Sequence, residues 1–128
     1  MQELLNNALF WQKIDSLVYS SEIVIDRAKN TRHPVYHNLI YPVDYGYLKD
    51  TVSSDGQGVD IFVGSMHNRN IQGLIVACDI LKKDIEIKLL YGCSESEERE
   101  ILYFLNQTDF QKTILVRKGN EFPAWAES

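Results

Sequence analysis

Leu9, Phe10, Ile14, Leu17 and Val18 recur at the spacing of one helix face, which predicts an α-helix over residues 9–18. The pattern then changes. Residues 22–26, 39–48, 59–63, 73–81 and 84–91 are short segments rich in Val, Ile, Leu and Tyr, so each is a predicted strand. Pro42 confines the second of these to an edge or a bulge. The last two join tightly at Lys82-Lys83. Ser94 and Glu97 match a capping box, acidic residues crowd the turn that follows, and the predicted helix runs through Ile101, Leu102, Phe104 and Leu105. Residues 113–117 are a last strand, and Phe122 and Trp125 in the tail suit either docking on the core or a partner interface. Between the elements, residues 28–38 (with Pro34), 50–58 (Ser, Asp and Gly) and 64–70 are predicted loops. Strands in the middle with helices around them predict an α+β fold with a small, strongly curved antiparallel sheet that closes into a β-barrel.

Composition adds limits. A chain of 128 residues fits one domain, residues 1–128, and buries about two-thirds of its surface. Hydrophobic content of 45% and charged content of 24% are those of an ordinary globular protein. A net charge of −5 argues against a nucleic-acid groove over the whole surface and leaves room for a local basic pocket. No apolar run is long enough to cross a bilayer, and residues 1–7 lack the basic start of a signal peptide. The two cysteines lack metal-type spacing. Cys78, within Leu74-Ile75-Val76-Ala77-Cys78, reads as a buried small hydrophobe. A reduced, cytoplasmic protein without a membrane or nucleic-acid partner is the expectation, with homo-oligomerisation open.

Strand parity sorts the candidate chemistry. Asp84, Glu86 and Lys88 share one face of their strand, as a solvated ion-paired surface or as the lining of a pocket. Asp60 shares a face with the aromatic Phe62, an unusual pairing for plain surface. Asp55 is either a turn former or a ligand. Tyr41, Tyr45 and Tyr47 have one parity, which suits half-buried rings with wet hydroxyls or donors to a phosphoryl oxygen. Asp26 is followed by Arg27, Lys29, Arg32 and His33, a basic surface loop or an anion-binding one. His37 and His67 lie in polar loops and read as solvated, and no histidine has zinc-type spacing.

In order along the chain stand Ile23-Val24-Ile25-Asp26-Arg27, Tyr41-Pro42-Val43-Asp44-Tyr45-Gly46-Tyr47, Asp55-Gly56-Gln57-Gly58-Val59-Asp60 and Asp84-Ile85-Glu86-Ile87-Lys88. This series resembles the soluble family I inorganic pyrophosphatases, in particular their short bacterial branch, over residues 22–90. The resemblance implies an OB-like five-stranded barrel with flanking helices and magnesium-dependent hydrolysis of pyrophosphate to two phosphates. It implies that Asp55 and Asp60 are metal ligands, joined by Asp26, Asp84 and Glu86. It implies that Lys88 and Tyr41 hold phosphate, and that Tyr45 stands with Asp60 at the attacking water.

The departures are specific. Gln57 occupies the place of the family's middle aspartate and cannot act as a base, and Gly58 replaces a proline. The stretch between Asp26 and Tyr41 is too short for the family's hairpin, which leaves Arg32 or His33 for the arginine of the phosphate site. Asn106 and Gln107 stand where a Tyr-Lys phosphate pair is expected. Three functions are compatible with this pattern. One is a magnesium-dependent pyrophosphatase, another is a pyrophosphatase-like domain that binds a partner with little or no catalysis, and the third is a hydrolase of a larger diphosphate.

Overall fold

A computed structural model describes residues 5–127. Residues 1–4, part of the stretch read above for a leader, lie outside the described residues. Helix α1 (Ala8–Tyr19) is followed by strands β1 (Ile23–Arg27), β2 (Asp44–Leu48), β3 (Val59–Val63), β4 (Ile71–Asp79) and β5 (Asp84–Tyr91). Helix α2 (Glu95–Leu105), strand β6 (Gln111–Arg117) and a 3₁₀ turn (Ala124–Glu127) complete the chain. Asn7 caps α1 by accepting from the amides of Leu9 and Phe10. The capping box of Ser94 and Glu97 opens α2 as the sequence predicts.

The six strands form one sheet in the order β1-β2-β3-β5-β4-β6, mostly antiparallel. The ladder does not return from β6 to β1 among the described residues, so an open sheet stands where a closed barrel is the expectation. One pairing is parallel. The β4–β5 hairpin folds back so that β5 slots between β3 and β4, which sets β5 parallel to β3. Here strand β4 serves as the crossover that a parallel pair requires.

Successive side chains alternate faces, and both faces are buried. Ile61, Val63, Leu74 and Leu89 pack on one face with Trp11 and Val18 of α1. Phe62, Ile75 and Leu90 pack on the other with Ile101, Phe104 and Leu105 of α2. Each such side chain contributes about 1.5–3 kcal/mol by leaving water.

Three local features position the site. Residues 39–43 are not strand. Ile40 makes a lone bridge to Arg32, Pro42 offers no amide, and β2 starts only at Asp44. Gly46 lets β1 approach β2, because a Cβ there would lie 1.8 Å from the Val24 carbonyl oxygen. A bulge at Asp26 shifts the register, so that Ile25 faces Gly46 but Arg27, not Asp26, faces Tyr45. The apolar-run reading of Cys78 is corrected: it is exposed, and Cys93 is the buried cysteine.

Candidate functional site

The face of the sheet that carries α2 does not close completely. Beyond Phe104 and Leu105 it opens into a cleft of about 590 Å³. The floor comes from β2, β3 and β5, with Tyr45 opposite Phe62 and Asp60 opposite Lys88 in the ladders. Its near wall is the end of β1 and the loop that follows, with Asp26, Arg27, His33, Tyr36 and Tyr41. The 50–58 loop adds Asp55 and Gln57 at the rim.

Lys88 is the centre of the floor and is only 6% exposed. Its ammonium donates to the Tyr45 hydroxyl at 2.7 Å, to Asp60 Oδ2 at 3.1 Å and to Glu86 Oε2 at 3.1 Å. Three acceptors meet the three donors of the ammonium. Burial alone would lower the Lys88 pKa, but Tyr45, Asp60 and Glu86 outweigh it and hold the group well above the ordinary lysine value. Burial drives the Tyr45 hydroxyl the opposite way from Lys88's pull, and Asp60 adds to burial, so the phenol stays protonated far above neutral pH.

Glu86 lines the cleft together with Asp55, and its charge acts on Asp84. Asp55 Oδ1 accepts from Ser53 Oγ at 2.5 Å and from the Gln57 amide at 2.8 Å. The Ser53 bond, then the Gln57 one, holds the Asp55 carboxyl below its usual range. Asp84 shifts upward, through burial and then the nearby Glu86 charge.

The wall is aromatic. Tyr41 stacks on Tyr45 at 5.6 Å between ring centroids and leans on Phe104 at 4.7 Å. Burial raises its pKa, against the pull of the nearby Arg27 charge. His33 lies parallel to Tyr41 at 6.0 Å. Its Nδ1 accepts from the amides of Val35 and Tyr36, both at 3.1 Å, so His33 fixes the turn of the loop. Burial, then Arg27 and Lys82, lower its pKa and favour the neutral ring.

Of the residues singled out from sequence, Asp26, Tyr41, Tyr45, Asp55, Asp60, Glu86 and Lys88 all line this one cleft. Asp84 does not. It shares the parity of Glu86 and Lys88 but borders a separate hollow with Cys78, Asp79 and Lys83. Arg32 is also outside the lining; its guanidinium donates to the His37 carbonyl at 2.8 Å. Asn106 caps α2 and pins β6, donating to Thr113 Oγ1 at 2.7 Å and accepting from the Thr113 amide at 3.0 Å. Tyr47 lies against Gly58. Sequence reasoning places Arg27 in a possible anion-binding loop but assigns the phosphate-site arginine to Arg32 or His33; it is Arg27 that lines the cleft, where it pairs with Asp26 at 3.1 Å. The adjacent Asp26-Arg27 pair at a strand end was its signal, since a bulge sends neighbouring residues to one side.

Among the described residues, no three His, Cys, Asp or Glu side chains are set to close on one metal ion. The donor set is nevertheless hard oxygen. Magnesium typically takes one or two carboxylates and completes its shell with water and substrate phosphate, a demand that Asp55 with Asp60 or Glu86 fits. A second hollow of about 660 Å³, between residues 38–42 and α2, offers Arg99 and Glu100 but no comparable constellation.

No family model matches the sequence, and no curated protein resembles it by sequence. Solved structures do resemble it. An inorganic pyrophosphatase from Helicobacter pylori superposes with a TM-score of 0.57 at 16% identity, over 74% of this chain and 81% of that one. An inorganic pyrophosphatase from Coxiella burnetii gives 0.55 at 14% identity, over 73% of this chain and 81% of that one. An inorganic phosphatase from Anaplasma phagocytophilum gives 0.53 at 14%, over 74% and 81%. No helix among the described residues is long and apolar enough to cross a membrane. The Tyr-Pro-x-x-Tyr-Gly-Tyr and Asp-Gly-x-x-x-Asp segments, brought into one cleft, thus sit on the fold of the soluble, family I-like inorganic pyrophosphatases.

Proposed function

We propose that the cleft binds a small diphosphate, pyrophosphate in the first instance, and hydrolyses it with the aid of Mg²⁺. The observation that carries this reading is Lys88, held charged between Tyr45, Asp60 and Glu86 on the floor of an open cleft. Magnesium drawn to Asp60 or Glu86 would free the ammonium for a phosphate oxygen, and Arg27 and Tyr41 line the same cleft. Asp55 with Asp60 or Glu86 would hold the metal, Asp26 would reach it through water, and Asp84 would act through Glu86. Bound magnesium would neutralise phosphate charge and make a nearby water more acidic.

The side chains have distinct tasks in this scheme. Lys88, Arg27 and Tyr41 bind phosphate oxygens, with Arg32 further back in the loop. Asp60 takes the proton of the attacking water, and Tyr45 holds that water through its hydroxyl. Gln57 donates an amide proton but cannot accept one from water. The protein would act as one domain in a reducing cytoplasm, where Cys78 and Cys93 stay free thiols, alone or as a homo-oligomer.

Phosphate release from pyrophosphate, with and without Mg²⁺, tests the reading. Asp60→Asn should lower turnover by about 10²–10⁴, the usual value of a positioned base. Gln57→Asp should raise it. Turnover that needs no Mg²⁺, or that survives Asp60→Asn intact, removes the proposal. One observation favours a second reading, a binding domain without turnover. The Lys88 ammonium already occupies Asp60 and Glu86, the carboxylates that a metal would need. Pyrophosphate that binds in calorimetry and is never cleaved would select it.

A further inference from the structure

The cleft has two chemically different halves, and inorganic pyrophosphate matches only one. The sheet side carries the charges of Asp26, Arg27, Asp55, Asp60, Glu86 and Lys88. The loop side carries rings and aliphatic groups, beside Asp79 and Lys82. Tyr36 lies 5.8 Å from Phe110 and 5.2 Å from His33, centroid to centroid. Val35 and Leu81 complete that side and are 69% and 62% exposed.

Core packing accounts for His33 and Tyr41, which stack inward toward Phe104. It does not account for Tyr36 and Phe110. Neither belongs to either hydrophobic core, and Tyr36 is 38% exposed at the lip. An exposed ring cluster that continues an anionic-ligand site is a place for a flat apolar group. The volume, about 590 Å³, lies within the range of about 300–1,000 Å³ typical of sites that enclose a whole organic ligand. Thr108 and Gln111 flank Phe110 in the lining, with the Gln111 side-chain amide donating to the Leu105 carbonyl at 2.8 Å.

Building on the diphosphate reading above, we propose that the cleft takes a diphosphate bearing an aromatic base, a nucleoside diphosphate, with the base against Tyr36 and Phe110 and the phosphates toward Lys88 and Arg27. Hydrolysis then runs as follows. The oxygen of water bonds to the terminal phosphorus, and the bond from that phosphorus to the bridging oxygen breaks. The bridging oxygen leaves with the nucleoside monophosphate, inorganic phosphate is released, and one proton passes to solvent. No electron changes hands.

The test compares ADP, isopentenyl diphosphate and pyrophosphate, each with Mg²⁺, on the native protein and on Tyr36→Ala and Phe110→Ala. Stacking of one base is worth roughly 5- to 100-fold in affinity. The KM for ADP should therefore lie at least about fivefold below that for pyrophosphate, and either substitution should shrink that ratio toward one. Equal KM values in the native protein, or a ratio that neither substitution moves, overturn the proposal. Isopentenyl diphosphate is apolar without being aromatic, and a KM matching that of ADP refutes the base-stacking claim. If no compound is hydrolysed, the catalytic reading falls, and calorimetric affinities decide this one by the same ratios. Tighter ADP binding that is lost in Tyr36→Ala sustains it, and equal or undetectable binding of ADP and pyrophosphate overturns it.

Discussion

The two faces of the β3–β5 ladder differ in what they bury. On the α1 face, Ile61, Val63 and Leu89 pack around Trp11, whose only polar atom, the ring nitrogen, donates to Asn6 Oδ1 at 2.5 Å. On the α2 face, Phe62 and Leu90 alternate along the same strands with Asp60 and Lys88. One face is dry and needs only shape. The other carries charges that must stay paired, at a desolvation cost that an apolar replacement would avoid. Apolar packing therefore stabilises both faces, and chemistry is confined to the open half of the α2 face. A buried lysine among carboxylates is poor value as a fastener and sensible as part of a site.

That division can be broken most strongly at Trp11. Trp11→Ala should cost about 3–5 kcal/mol through lost burial and the void it leaves. A domain of this kind has only about 5–15 kcal/mol in total, so urea unfolding should shift to a far lower midpoint. The cleft of the folded fraction should keep its ligand affinity. Loss of binding in molecules that are still folded would mean that the two faces are not separable.

Lys88→Met makes the reverse comparison. The side chain is replaced by an apolar one of similar length, and Asp60 and Glu86 lose their counter-charge. Both carboxylates retain some water, at 25% and 18% side-chain exposure. The loss should thus be about 1–3 kcal/mol, smaller than at Trp11. Its pH dependence has a definite sign. The Lys88 pKa is raised in the folded protein, so its contribution is complete below the unfolded lysine value of about 10.4 and disappears as pH rises through the folded value. The difference in urea midpoint between native and Lys88→Met should be constant from pH 7 to about 10 and narrow above that. A difference that is already closing at neutral pH would show that the ammonium is not held as described.

Much of this arrangement was legible in the residues. Period-two alternation places Asp60 with Phe62 and Glu86 with Lys88, and the capping box marks α2, because these signals depend only on near neighbours in the chain. The remainder depends on distant contacts. The order that puts β5 between β3 and β4 is a pairing choice that no local pattern encodes. Parity also says nothing about distance along a strand. Asp84 shares a face with Lys88, but four residues of strand separate them by about 13 Å, which takes Asp84 past the end of the cleft. The bulge at Asp26 shifts the register so that Arg27 pairs opposite Tyr45, a one-residue event that strict alternation cannot anticipate.

The smallest expected effect concerns the limits of the dry face. α1 has 12 residues, about 18 Å of helix, and covers only part of its face of the sheet. Cys78 lies on that same face, beside Ile85 in the ladder, and both are exposed. This is why an apolar run failed to imply burial: the run crosses from covered to uncovered sheet. Cys93 is the counterpart on the α2 side, fully buried, with its thiol pushed up to about 12 by burial and then by the charge of Glu97. The thiolate is the reactive form, so a thiol reagent at pH 8 should label Cys78 quickly and leave Cys93 untouched in the folded protein. Mass spectrometry should find one adduct per chain under native conditions and two in urea, with no shift of the unfolding midpoint in Cys78→Ser. Two adducts at equal rates without denaturant would mean that the α2 face opens as freely as the uncovered end of the α1 face. The contrast between a packed and a working side of the sheet would then have to be redrawn around the helices rather than the faces.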